Sequence, residues 1–349
     1  MARQQPTIHD VAQLAGVSIA TVSRATSGGK IAPQTKLKVE KAIRTLGYQP
    51  TSSRLSMYSQ RSSTIAVVLS SQTIPYYAQL CAGLTKEANR CGYKVLVCNY
   101  SDKTPIATVV NDLIGMQPAG ALIAGFMVEE GPQAQIQAAL LRLQEAMPLV
   151  VIGPPLEGFH CTRLTSDPSM CVRKSLAHLA MLGHQQIAYV GGYPGTRSYA
   201  LRLAAYKEEL TQHGIQVKPA YIIASGDNAP AGELAASILM DPARKDHPTA
   251  FLAYSDIVAL GLLGQLYRMG IRVPEDVAVV GCGNEFFSAH LSPALTTIDL
   301  RPFDHGRMAM SELILSIQGH TPILSSQPCE CQLIVRDSCG AAAANLIRK

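Results

Sequence analysis

The 349 residues are 47% hydrophobic and 16% charged, with a net charge of +5, which suits two or three globular domains with ample cores. No apolar run approaches the roughly 18 to 20 residues that span a bilayer. The opening Met1-Ala2-Arg3-Gln4-Gln5-Pro6 leads into a capped helix and not into the apolar core of a signal peptide, so membrane and exported classes are set aside and a cytoplasmic protein is expected.

Charge is unevenly placed. Residues 1–64 hold nine Lys or Arg against only Asp10 and Glu40, whereas the remainder holds 21 basic against 23 acidic residues. A basic N-terminal end on a mildly acidic body fits phosphate contacts at one end only. The nine cysteines are odd in number and include no Cys-x-x-Cys pair, which fits reduced thiols, several of them in the core. Cys329 and Cys331 would share a face if they lay on a strand and could then bind metal, but no His or third Cys has zinc-like spacing, and no metal or cofactor is expected.

In chain order, Ile8, Val11, Ala12 and Ala15 fall at i, i+3, i+4 and i+7, with Thr7 as N-cap and Asp10 three residues on as its capping-box partner. Gly16 ends this first helix. Ser18 caps a second helix of about two turns, in which Val22 faces inward and Ile19, Ala20, Ser23 and Arg24 face largely outward. Gly16-Val17 is too short a turn for anything but a steep crossing, the helix-turn-helix geometry whose second helix enters a DNA major groove. Val39, Ala42, Ile43 and Leu46 predict a third helix that closes a small core over the other two.

The run Thr7-Ile8-x-Asp10-Val11-Ala12-x-x-Ala15-Gly16-Val17-Ser18-x-x-Thr21-Val22-Ser23-Arg24 resembles the N-terminal signature of the lactose/galactose-repressor (LacI/GalR) regulators. The resemblance implies base reading by Ile19, Ala20 and Arg24. Ile19 and Ala20 offer only apolar contact, suited to thymine methyl groups, while Arg24 can grip guanine O6 and N7. Thr21, Ser23, Gln34 and Thr35 are the candidate phosphate contacts. The polar stretch after Gly47 matches the family's hinge in length, and the resemblance places Arg54, Leu55 and Met57 where an apolar wedge enters the minor groove.

From Ile65 onward short β-rich runs alternate with helical stretches: Ile65 to Leu69, Val95 to Cys98, Ala121 to Ala124 and Leu149 to Ile152, then Ile187 to Val190, Tyr221 to Ile223, Phe251 to Tyr254 and Val277 to Gly281. Such alternation predicts parallel sheets flanked by helices. Four runs precede the break near Thr165 to Asp167 and four follow, so two doubly wound lobes with a ligand cleft between them are expected. The expected organisation is an all-α helix-turn-helix headpiece (1–49), a hinge (50–64) and an α/β two-lobed, periplasmic-binding-protein-like core with parallel sheets (65–338), followed by a tail (339–349). Chain crossovers between lobes are expected near 165, 298 and 325.

Within the core, Leu182-Gly183-His184, Arg202-Leu203-Ala204-Ala205-Tyr206, Ser255-Asp256-Ile257-Val258-Ala259-Leu260-Gly261 and Pro293-Ala294-Leu295-Thr296-Thr297-Ile298 look like blocks of the same family. The resemblance implies effector binding by Tyr76, Tyr77 and Arg202, with Ser255, Asn284 and Arg197 as secondary candidates. An arginine in a cleft offers a two-pronged grip on a carboxylate, a phosphate or a diol. Sugar-binding relatives keep carboxylates where this chain has Gly153 and Gly283, which predicts a more positive cleft and an anionic effector, a sugar acid of the gluconate type or a sugar phosphate. Gly281 to His290 looks like the version of this block in gluconate-type repressors.

The function expected is that of an operator-binding repressor controlled by a small effector and working as a homodimer, without a heptad tail for tetramer formation. A solute-binding module without operator binding would use only residues 65–338 and leaves the headpiece unexplained. An enzyme is not expected, since no Walker loop, nucleophile elbow or metal triad appears.

Overall fold

The computed structural model describes residues 7–26, 31–46, 62–69, 74–100, 104–125, 133–153, 162–164, 167–320 and 330–341. The chain divides into two compact units, Met1–Arg61 and Ser62–Lys349.

The first unit holds three helices, α1 (Ile8–Ala15), α2 (Ile19–Thr26) and α3 (Pro33–Leu46). The Asp10 carboxylate accepts from the Thr7 N–H at 2.6 Å and from its hydroxyl at 2.7 Å, locking the first turn of α1. Gly16 then adopts φ 63°, a left-handed conformation that costs glycine nothing, and the Val17 N–H returns to the Ala12 carbonyl at 3.1 Å. One residue later Ser18 Oγ accepts the Thr21 N–H at 3.2 Å and starts α2. These two caps set the steep turn, and Val11, Val22 and Val39, all fully buried, pin the three helices with Ala12, Ala15 and Ala42.

In the second unit the first lobe is a parallel sheet of β1 (Thr64–Leu69), β2 (Lys94–Asn99), β3 (Ala121–Ala124), β4 (Leu149–Ile152) and β5 (Thr162–Leu164), ordered β2-β1-β3-β4-β5. Helices α4 (Pro75–Arg90), α5 (Ile106–Met116) and α6 (Gln133–Ala146) connect its strands. The second lobe orders β6 (Ile187–Val190), β7 (Ile222–Ile223), β8 (Ala250–Ala253) and β9 (Ala278–Val280) as β7-β6-β8-β9, also parallel, with α7 (Pro168–Met181), α8 (Arg197–Gln212), α9 (Ala229–Leu239) and α10 (Asp256–Arg268). Central strands such as Ala121–Ala124 and Ala250–Ala253 are buried throughout, the pattern of sheets covered on both faces. Both lobes are doubly wound, as the alternation predicts.

Beyond the eight expected strands the structure adds β5 and two late strands. β5 reads Thr-Arg-Leu, with no apolar run to betray it, because it is an edge strand held by pairing with β4. β10 (Thr297–Asp299) adjoins the second sheet through the Val280–Thr296 bridge and pairs antiparallel with β11 (Gln332–Ile334). Between these strands α11 (Pro302–Ile317) returns to the first lobe, where Ala309, Met310, Leu313, Ile314 and Ile317 join Ile65, Val67, Leu80 and Leu84 in one core. The close approach of α11 to α4 requires Gly83 and Gly306: a Cβ on either would collide with a backbone carbonyl of the other helix. Among the described residues no helix is long and apolar enough to cross a membrane.

Candidate functional site

In the headpiece, α2 presents Ile19, 41% exposed, together with exposed Ala20 and Arg24. Arg24 Nε folds back on the Ala20 carbonyl at 3.4 Å, so the three expected base-reading residues form one surface. Thr21 is half-buried and its hydroxyl exchanges a hydrogen bond with Ser18 Oγ at 2.9 Å, tying it to the cap of α2. Gln34 is exposed and Thr35 half-buried in the first turn of α3, where the Thr35 N–H is spent on the Ala32 carbonyl at 3.0 Å. The Ser23 side chain and the hinge residues Arg54, Leu55 and Met57 lie outside the described residues.

The core carries a cleft of about 160 Å³ between its lobes, off the carboxyl ends of the strands. Tyr76 and Tyr77, in the first turn of α4 after β1, line it with their rings edge to face, 5.2 Å apart. Gly125 after β3 and Gly153 after β4 complete this wall. Opposite stands Arg202 on α8. Its Nη1 donates to the Tyr254 carbonyl at 2.8 Å and its guanidinium lies 4.3 Å from the centre of the Tyr254 ring. Its buried Nε has no hydrogen-bond partner among the described residues. Main chain and ring thus aim a cation at the cleft with a donor in hand.

Ser255 also lines the cleft, but its hydroxyl is committed: it caps α10 by accepting the Val258 N–H at 3.3 Å and donates to Asp227 Oδ1. Asn284 does not line it. A left-handed backbone at φ 51° turns its side chain toward β10 and the chain end, where it donates to Asp299 at 3.3 Å and accepts from Arg336 at 2.7 Å. Arg197, the first residue of α8, is likewise absent from the lining, although Ser198 beside it is present. Successive helical residues point about 100° apart, so one neighbour enters the cleft and the other does not.

Gly153 and Gly283 line the cleft as expected, but acidic residues outside the sequence reading stand there too. Asp167, Asp227, Asp256 and Glu285 all line it. Asp256 is fully buried and accepts from the Glu285 N–H at 2.9 Å, Ser288 Oγ at 2.6 Å and Thr297 Oγ1 at 2.5 Å. Burial raises its carboxyl above the ordinary range against those three bonds, and burial likewise raises Asp227 against its bond to Ser255. Glu285 is pushed up to about 7, first by burial and then by the charges of Asp256 and Asp227. Sequence reasoning missed these carboxyl groups although Asp256 and Glu285 sit inside blocks it singled out; the usable signal was a carboxylate one step past Ser255 and another two past Gly283.

Seven cysteines are free thiols among the described residues, and no cluster of three or more His, Cys, Asp or Glu there is arranged to hold a metal. A helix-turn-helix headpiece joined to a two-lobed core with a ligand cleft defines a ligand-responsive DNA-binding regulator.

Comparison with known proteins agrees. Residues 7–51 match the bacterial regulatory proteins of the lacI family, and residues 176–339 match a periplasmic binding protein-like domain. The HTH-type transcriptional repressor CytR of Escherichia coli (strain K12) is 31% identical over 335 residues, 95% of this chain and 96% of CytR. Catabolite control protein A of Priestia megaterium is 29% identical over 310 residues, 87% of this chain and 90% of that protein. The lac repressor dimer bound to operator and the anti-inducer ONPF aligns with a TM-score of 0.81 at 26% identity, covering 96% of this chain and 99% of that one. The chain belongs to the lacI family: it is a DNA-binding transcriptional regulator with an effector-binding core, and not an enzyme.

Proposed function

We propose that this regulator is a homodimeric repressor acting in the cytoplasm, released from or driven onto a pseudo-palindromic operator by a small polyhydroxylated acid, either a sugar acid of the gluconate type or a sugar phosphate. The half-buried guanidinium of Arg202, which lines the cleft, is held by Tyr254 and has its Nε unpaired among the described residues, carries the acid part of this reading. Of the neighbouring carboxyl groups Glu285 opposes an anion least, because burial and the charges of Asp256 and Asp227 push it up to about 7. Tyr76 and Tyr77 supply flat faces for the carbon skeleton.

On the DNA side, Ile19, Ala20 and Arg24 read bases, Thr21, Ser23, Gln34 and Thr35 hold phosphates, and Arg54, Leu55 and Met57 enter the minor groove. This is a thin direct code, so operator choice rests largely on half-site spacing and hinge-induced bending. The effector acts by binding the two lobe arrangements with different affinity, which shifts the population of DNA-competent dimers.

Gel retardation on an operator selected from a random palindrome library tests the reading. D-gluconate or glucose 6-phosphate should change retardation at concentrations where D-glucose does not. A response to neutral sugars with none to acids overturns the effector class. Arg24→Ala should weaken operator binding about tenfold or more, and no change would remove Arg24 from the base-reading set.

A further inference from the structure

Hydrogen bonding among the carboxyl groups of the cleft is uneven. Asp256 has three donors, and Asp227 has the Ser255 hydroxyl. Glu285 is 7% exposed and lines the cleft, yet its Oε2 has no hydrogen-bond partner among the described residues. Its backbone is fixed, since its N–H is the one that Asp256 Oδ2 accepts. Its side chain folds back over Gly283: a Cβ built on Gly283 would stand 3.3 Å from Glu285 Oε1 and 3.5 Å from its Cγ. Gly283 also has φ 139°, where side-chain-bearing residues are strained. The glycine therefore leaves the space that the Glu285 carboxyl fills. A buried carboxyl without a partner is costly, and nothing among the described residues offsets it at Oε2, while the cleft beside it is open to a ligand that could. A half-turn of the carboxyl about its last bond brings either oxygen to the cavity side.

We propose that Glu285 is a ligand-binding residue of the cleft, whose carboxyl accepts hydrogen bonds from hydroxyl groups of the effector, with Gly283 as the opening that lets it reach them. This rests on the reading of the cleft as the site of a polyhydroxylated effector and adds the residue that recognises its hydroxyl end, while Arg202 takes the acid end.

The test uses the full chain. In calorimetric titrations with D-gluconate, glucose 6-phosphate and D-glucose, Glu285→Gln and Glu285→Ala should weaken whichever probe binds the wild type by at least about tenfold, with melting temperatures no lower than that of the wild type. Affinity within about twofold of the wild type in Glu285→Ala overturns the assignment and leaves the effector class standing. A second arm needs no effector: crystals soaked in glycerol should show a glycerol hydroxyl within hydrogen-bond distance of the Glu285 carboxyl, lost in Glu285→Ala crystals treated alike. Glycerol on Glu285 with no acid bound in the calorimeter sustains this residue's role and overturns the effector class. Glycerol placed elsewhere, or retained in Glu285→Ala, overturns the role of Glu285.

Discussion

The two lobes share a strand order but present opposite chemistry to the cleft between them. From the first lobe come Ile74, Tyr76, Tyr77, Ala124, Gly125, Ile152 and Gly153, none of them charged among the described residues. The second lobe contributes Arg202, Asp227, Asp256 and Glu285, and Asp167 stands at the start of its first helix. One topology thus serves two tasks: the second lobe grips polar groups, and the first covers them with aromatic and small residues. Covering matters because each polar contact strengthens as water is excluded.

The division of labour can be broken most severely at Asp256. Replacing it with Ala strips acceptors from Ser288, Thr297 and the Glu285 N–H at once. The expected loss is about 4 kcal/mol of stability, read by urea unfolding of the core; a loss under about 1 kcal/mol would mean that the polar floor is dispensable. Next comes Arg202→Ala, which should weaken effector binding about a hundredfold with the fold intact, since a charged, oriented donor is lost. Arg202→Lys should recover only part of this, because an ammonium cannot repeat the fork.

Glu285→Gln sharpens the comparison through pH. The folded-state value of Glu285, about 7, lies above its ordinary 4.5. Below the ordinary value both states are protonated and nothing is lost; between the two values the unfolded chain releases its proton first, and native stability falls until the folded value is passed. Asp256 and Asp227 face the group and oppose its ionisation, while Arg202 lies in the same cleft. Glu285→Gln should therefore gain on the wild type between pH 5 and pH 8, by up to about 3 kcal/mol in thermal unfolding series. Equal pH profiles for the two proteins would show that Glu285 ionises freely. The smallest effect is expected from Tyr77→Ala, about fivefold in affinity, as a covering residue lost. A loss matching that of Arg202→Ala would make the first lobe a gripping lobe too.

Legibility in the sequence followed locality. The headpiece could be read nearly residue by residue because Thr7, Asp10, Gly16 and Ser18 act on neighbours within one turn, and the central strands announced themselves as apolar runs. Tyr76, Tyr77 and Arg202, named through resemblance, do line the cleft. What stayed hidden depends on partners far along the chain. Asp227 faces the cleft through Ser255, 28 residues away, and Asp256 is held by groups 29 to 41 residues on. Counting the carboxylates missing at Gly153 and Gly283 therefore left out those that reach the cleft from elsewhere in the chain. Asn284 was misplaced because one left-handed residue reverses the direction of a side chain, which composition does not record.

The place of α11 bears on how this protein is made. The helix that seals Ile65, Val67, Leu80 and Leu84 is translated only after the sheet of the second lobe. On the ribosome the first lobe therefore emerges unfinished, with an oily face waiting for a segment not yet synthesised, while the second lobe has its sheet and four helices to hand and waits only for Cys331, Cys339 and Ala341 of its core. The nascent chain is an obvious client for chaperones during that interval, and a stop codon placed ahead of Pro302 would cripple the half of the molecule already made.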